Sequence, residues 1–257
     1  MERRDAVESD DGDFVALAGG EGGGHGPIIS NIVLRAAVGL WRPARECLHQ
    51  FILKEPHMPN RALIVIDVQN EYFTGQMKIA YPPVSTTLPN ITTAMRAAKA
   101  AGIPIVVVRH DAPQASPIFA QGSQSWQLHP EVAALPADLL LPKSRASAFE
   151  GTALREWLAS RGVDTITVVG YMTHNCCAAT IYQAGDLRAE FLADAAGSPS
   201  YENEAGKVSA EEIHRTYCTI FHSNFAAVAS TEAWLAAVQE GRALETDNIY
   251  VSVRRAA

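Results

Sequence analysis

Asp164-Thr-Ile-Thr-Val-Val-Gly170-Tyr-Met-Thr-His-Asn-Cys176-Cys-Ala-Ala-Thr180 is the stretch on which the fold turns. An apolar, β-branched run meets a glycine and then small residues, which predicts a buried strand, a tight turn and a helix. That geometry puts Cys176 at the N-terminus of a helix, beside the carboxyl end of a strand. The positive end of the helix dipole is expected to lower the thiol pKa there and make it a nucleophile.

The same alternation extends in both directions. Ala62 to Ile66 is a continuous apolar run that stops at Asp67, the pattern of a doubly covered parallel strand. Ile91, Met95, Ala98 and Ala101 share a helical face that Gly102 ends. Ile103 to Val108 is the second strand. Residues 111 to 141 form a long loop rich in Pro, Gly and Ser, and a loop of that length is usually functional. Leu154, Trp157 and Leu158 mark a helix, and Thr165 to Val169 is the third strand. A helix from Cys176 to Ala184 leads to a fourth strand, Ala189 to Ala193. Ile213, Tyr217, Ile220 and Phe221 give a helical stripe. Ala226 to Ala229 is a short fifth strand, and Trp234, Leu235 and Val238 mark a last helix. Ile249 to Val253 reads as an edge strand in the tail. Repeated βα units predict an α/β fold with a parallel sheet covered by helices on both faces. Its ligand crevice lies beyond the carboxyl ends of the strands, where Asp67 and Cys176 both fall.

The chain has 257 residues, 47% of them hydrophobic, which suffices for a full core. A net charge of −7 argues against a nucleic-acid partner. No run of about 18 apolar residues points to a membrane span. Cysteines 47, 176, 177 and 218 lack disulfide or zinc spacing, so a reducing, cytoplasmic setting is expected. Cys177, one helical step of about 100° from Cys176, is read as a small buried hydrophobe, as is Cys218. Residues 1–57 read as a poorly ordered extension, acidic and then Gly-rich, with a short helix possible between Ile32 and Phe51. Organised pattern begins at Met58, which reads as the natural start. A domain over 58–240 and a tail over 241–257 follow.

A carboxylate at the end of a buried strand needs a partner. Asp67 is either a turn or capping residue or a general base for the thiol. Lys143 follows Leu139-Leu-Leu-Pro and taken alone reads as a surface residue. In company with Asp67 and Cys176, an ammonium would stabilise both a thiolate and a carboxylate.

These pieces together resemble the isochorismatase-like cysteine hydrolase superfamily, which includes nicotinamidases and N-carbamoylsarcosine amidohydrolases. The resemblance runs from about Pro59 to Val238. It is carried by Ala62-Leu-Ile-Val-Ile-Asp67-Val-Gln-Asn-Glu-Tyr-Phe73, by the lysine segment with Ser147-Ala-Phe-Glu-Gly-Thr152, and by Val169 to Thr180. Ser125-Trp-Gln-Leu-His-Pro130 resembles a recurrent loop of the same family. The resemblance implies a Rossmann-like three-layer fold with a six-stranded parallel sheet and an Asp67–Lys143–Cys176 triad. It also implies a cis peptide at Tyr171–Met172, with the Met172 and Cys176 N–H groups forming an oxyanion hole. A homo-oligomer, dimer or tetramer, is the family habit.

The family's nicotinamidases hold a metal with an Asp-x-His pair and a later His. The loop after Asp67 has no histidine, and His110 has no second histidine near it in sequence, so no metal and no cofactor are expected. Retention of Cys176 favours C–N hydrolysis over the acid-catalysed vinyl ether cleavage of true isochorismatases. The expected function is metal-independent cysteine amidohydrolysis of a small amide, carbamoyl or ureido compound. The alternatives are a vinyl ether hydrolase and a non-catalytic small-molecule binder. Phe73, Trp126 and His174 are candidate substrate contacts; Phe73 and Trp126 read equally as packing, and His174 as a helix cap.

Overall fold

The structure is a computed structural model that describes residues 58–257. The expectations for residues 1–57, Cys47 included, lie outside the described residues. In chain order the main elements are β1 (Arg61–Ile66), α1 (Val84–Ala100), β2 (Ile105–His110), α2 (Pro130–Ala133), β3 (Leu139–Lys143) and α3 (Leu154–Ala159). Then come β4 (Thr165–Tyr171), a π-helical turn (Thr173–Cys177) continuing into α4 (Ala178–Tyr182), β5 (Arg188–Gly197), β6 (Tyr201–Asn203) and β7 (Gly206–Val208). The chain closes with α5 (Ala210–Ile220), β8 (Ala227–Ala229), α6 (Thr231–Gln239) and α7 (Ile249–Ala256).

Six strands form one parallel sheet in the order β3-β2-β1-β4-β5-β8. The central β1 and β4 are buried along their whole length, which explains their unbroken apolar character. Each sheet face carries its own apolar core. Ile64, Ile66 and Val168 pack with Leu154, Ile181 and Phe221 on one side. Leu63, Val65 and Val107 pack with Ile91, Met95 and Trp234 on the other. Six parallel strands flanked by helices agree with the expected fold. Among the described residues no helix is long and apolar enough to cross a membrane.

Two expectations are corrected. The end of the 111–141 stretch is not loop: Leu139 to Leu141 open the sixth strand, β3, paired only with β2. Pro142 is compatible with that place, because an edge strand leaves one side of its backbone unpaired. The tail segment at Ile249 is the helix α7, not an edge strand. Asn248 caps it by accepting from the Val251 N–H at 2.9 Å, and that local bond outweighs the apolar alternation.

Candidate active site

Three strand ends and one turn assemble the site. β1 stops where Asp67 takes φ = +50°, a left-handed conformation that Asp tolerates better than most residues. The Asp67 N–H still donates to Val108 O of β2 at 3.0 Å. Lys143 is the last residue of β3 and sits in register with His110, the last of β2. Gly170 stands opposite Ile66 where β4 runs against β1. A Cβ at Gly170 would lie 2.1 Å from the Ile66 carbonyl oxygen, and its φ is +107°. Only glycine permits that approach. The Tyr171–Met172 peptide that follows is cis, and the π-helical turn carries Cys176 directly after it.

Asp67, Lys143 and Cys176 meet at this rim. The Lys143 ammonium lies 2.7 Å from Asp67 Oδ2 and 3.3 Å from Cys176 Sγ. It also donates to Arg145 O at 3.0 Å and lies 3.3 Å from His110 Nδ1. Both charged side chains are fully buried. Neither Asp67 oxygen receives a well-angled hydrogen bond from a described residue, so the ammonium meets it as an ion pair.

The electrostatics correct one sequence expectation. Burial pushes the Cys176 thiol up to about 12, the Asp67 carboxylate adds to that, and Lys143 pulls the other way. The thiol therefore rests protonated, because desolvation and a neighbouring negative charge outweigh the helix terminus. Burial works to lower the Lys143 pKa, but Asp67 and Cys176 overcome it and hold the ammonium above its usual range. Burial, and then the Lys143 charge, depress the His110 pKa. Its imidazole is thus neutral near pH 7 and can accept from the lysine at Nδ1.

Cys176 opens into a cavity of about 320 Å³. Tyr72, Met77, His110, Ile118, Phe119 and Met172 supply most of its wall, and Asn175 stands nearby. The polar loop after β1 is held in place by Gln69. Its side-chain amide donates to His110 O at 2.9 Å and Trp126 O at 2.7 Å, and its oxygen accepts from His110 N at 2.8 Å. Buried Glu71 accepts from Gln76 N at 2.7 Å, which fixes the turn leading to Met77.

The three candidate substrate contacts do not line this cavity. Phe73 stacks on His129 at 4.3 Å and packs edge-on against Tyr171. Trp126 donates from Nε1 to Asp111 Oδ1 at 2.7 Å and lies under Arg109 at 4.0 Å. His174 pairs its Nδ1 with Ser198 Oγ at 3.0 Å and meets the Tyr201 ring at 4.9 Å, and it caps no helix. Sequence periodicity marks aromatic rings as buried but does not say which buried surface they join. The lining residues Ile118 and Phe119 carry no sequence signal for the same reason, whereas Tyr72 belongs to the polar, aromatic segment after Asp67 that suits a pocket wall. His110 had a usable signal, its place at the end of a strand. Cys177 is fully buried, as expected of a small hydrophobe. Among the described residues no three His, Cys, Asp or Glu side chains converge as a metal-ligand set.

Comparison with known proteins agrees with this architecture. The isochorismatase domain model matches residues 61–233, and the chain belongs to the isochorismatase family. A crystal structure of a candidate isochorismatase from Burkholderia xenovorans superimposes with a TM-score of 0.76 at 56% identity, covering 77% of this chain and 96% of that one. The secreted isochorismatase effector Isc1 of Verticillium dahliae is 34% identical over 121 residues, 47% of this chain and 63% of that protein. An uncharacterized isochorismatase family protein of Bacillus subtilis, YddQ, is 28% identical over 178 residues, 68% of this chain and 98% of that protein.

Proposed function

We propose that the protein is an amidohydrolase that cleaves the C–N bond of a small carboxamide, carbamoyl or ureido compound through a thioester on Cys176. One observation carries the reading: a sulfur in the cavity wall lies 3.3 Å from an ammonium that is itself 2.7 Å from a carboxylate. Because the thiol rests protonated, attack needs a base. Asp67 takes the Sγ proton as sulfur adds to the carbonyl carbon, and Lys143 offsets the charge that moves. The N–H groups of Met172 and Cys176 are assigned to the developing oxyanion, each donor contributing about 3 kcal/mol. The proton on Asp67 passes to the nitrogen as the C–N bond breaks. Water, deprotonated by Asp67, then adds to the thioester carbonyl; the acid departs and sulfur recovers a proton.

Vinyl ether hydrolysis is the second reading, favoured by the isochorismatase names of the relatives. Ammonia release separates the two. In the first reading, Cys176→Ala lowers ammonia release from a responsive amide by at least about 10⁴-fold, with unchanged circular dichroism and melting temperature. Mass spectrometry of quenched wild-type enzyme finds the acyl group on Cys176. Turnover retained in purified Cys176→Ala protein refutes the nucleophile.

A further inference from the structure

We propose that the cavity selects uncharged ligands: a compact carboxamide, carbamate or urea with an apolar substituent and no carboxylate. This rests on the amidohydrolase reading above and narrows its substrate class. The wall of the 320 Å³ cavity contains no Lys, Arg, Asp or Glu among the described residues. Nearby cations are already engaged. Lys143 is fully buried and its three protons face four acceptors: Asp67 Oδ2, Arg145 O, Cys176 Sγ and His110 Nδ1. Arg109 is held between the Trp126 ring at 4.0 Å and Asp111 Oδ1 at 3.0 Å. The Arg145 side chain is exposed, with Glu150 at 3.8 Å. A carboxylate entering this space would lose water and gain no counter-charge, which is strongly unfavourable.

The wall instead offers neutral polar groups. Tyr72 lines the cavity and is 2% exposed. A phenol in such a wall combines an apolar ring with a neutral hydroxyl that can hydrogen-bond a ligand. Ser116 is not available in the same way, since its Oγ donates to Ile118 O at 2.7 Å. Phe119 is held at φ = +51°, unusual for a bulky residue, with its ring edge-on to Tyr72 and His110 at 5.3 Å each. Such a backbone outlier beside a cavity is where function tends to fix conformation. Tyr72 and His110 therefore supply hydrogen bonds to an amide, while Met77, Ile118 and Phe119 take its apolar substituent. Isochorismate, a dicarboxylate, is a poor match.

The experiment uses pairs differing by one charge: butyramide against succinamic acid, and propylurea against N-carbamoyl-β-alanine. Ammonia release is read with wild-type protein. Binding is read by NMR titration of full-length Cys176→Ala protein. The neutral member of each pair is expected to bind and turn over about 100-fold better or more. Met77→Lys, which adds a cation to the wall, is expected to cut that preference at least tenfold. Equal or tighter binding of the carboxylate member, or binding of neither, overturns the inference. Selective binding of the neutral member without ammonia release upholds the uncharged cavity and overturns the amidohydrolase reading.

Discussion

Arg61 and Asp67 stand at opposite ends of β1, and each is half of a buried ion pair with a closest approach of 2.7 Å. The Arg61–Glu190 pair is closed on itself. The guanidinium meets both carboxylate oxygens and donates to Arg242 O, while Glu190 also accepts from Thr167 Oγ1 at 2.7 Å and Trp234 Nε1 at 3.1 Å. The Asp67–Lys143 pair is left open. Its carboxylate gains no well-angled hydrogen bond, and its ammonium reaches on to a sulfur at the cavity wall. Distance alone does not distinguish the two. The completeness of the surrounding hydrogen bonds does: a satisfied network fixes structure, whereas an unsatisfied carboxylate retains the capacity to take a proton.

The sharpest way to break this comparison is to neutralise one acid at each end. Asp67→Asn is expected to lower turnover by at least about 10³-fold, since the general base is lost, and to lower the melting temperature as well, because the buried Lys143 ammonium loses its counter-charge. Glu190→Ala is expected to destabilise the fold by about 3–5 kcal/mol in urea unfolding, because the Arg61 charge is left buried and unpaired. Its kcat, measured on the folded fraction, stays near wild type. Loss of kcat in Glu190→Ala at full folding, or a large stability loss with retained turnover in Asp67→Asn, would reverse the assignment of the two pairs.

A smaller effect concerns the thiol itself. With the Cys176 pKa held up to about 12, the thiolate fraction is small at neutral pH and grows as pH rises. Iodoacetamide labelling of Cys176 should accelerate about tenfold per pH unit across the alkaline range while the protein stays folded. A plateau near the ordinary thiol value of about 8.5 would instead restore the helix-terminus expectation. Lys143 opposes the upward shift, so Lys143→Met should slow labelling at each pH. Comparing the labelling rates of the two proteins sharpens what the open ion pair contributes to the sulfur.

Much of this is legible in the sequence. Ala62 to Asp67 and Thr165 to Cys176 read as strand, turn and helix because unbroken β-branched runs bounded by a glycine admit few other solutions. The acid and the sulfur could be placed on one rim by the parallel-sheet rule alone. Lys143 could not. It closes β3, a strand hidden at the end of a loop-like segment, and only pairing with β2 brings it in register with His110. The alternating tail at Ile249 misled for the converse reason, since the Asn248 cap decided for a helix. The cavity wall was the least visible part. Ile118 and Phe119 come from a loop whose apolar residues have no period to read, while Phe73 and Trp126, equally aromatic, turn to other partners.

Local covalent order thus determined that β1 and β4 are buried strands, which turn demanded a glycine, and which side chains carry reactive chemistry. These are properties of short stretches of chain, governed by sterics and by the apolar repeat. Tertiary structure alone decided the protonation of the sulfur, the company of the ammonium and the uncharged lining of the cavity. Each depends on which distant groups share a desolvated space, and Coulomb and desolvation energies follow separation in space, not in sequence.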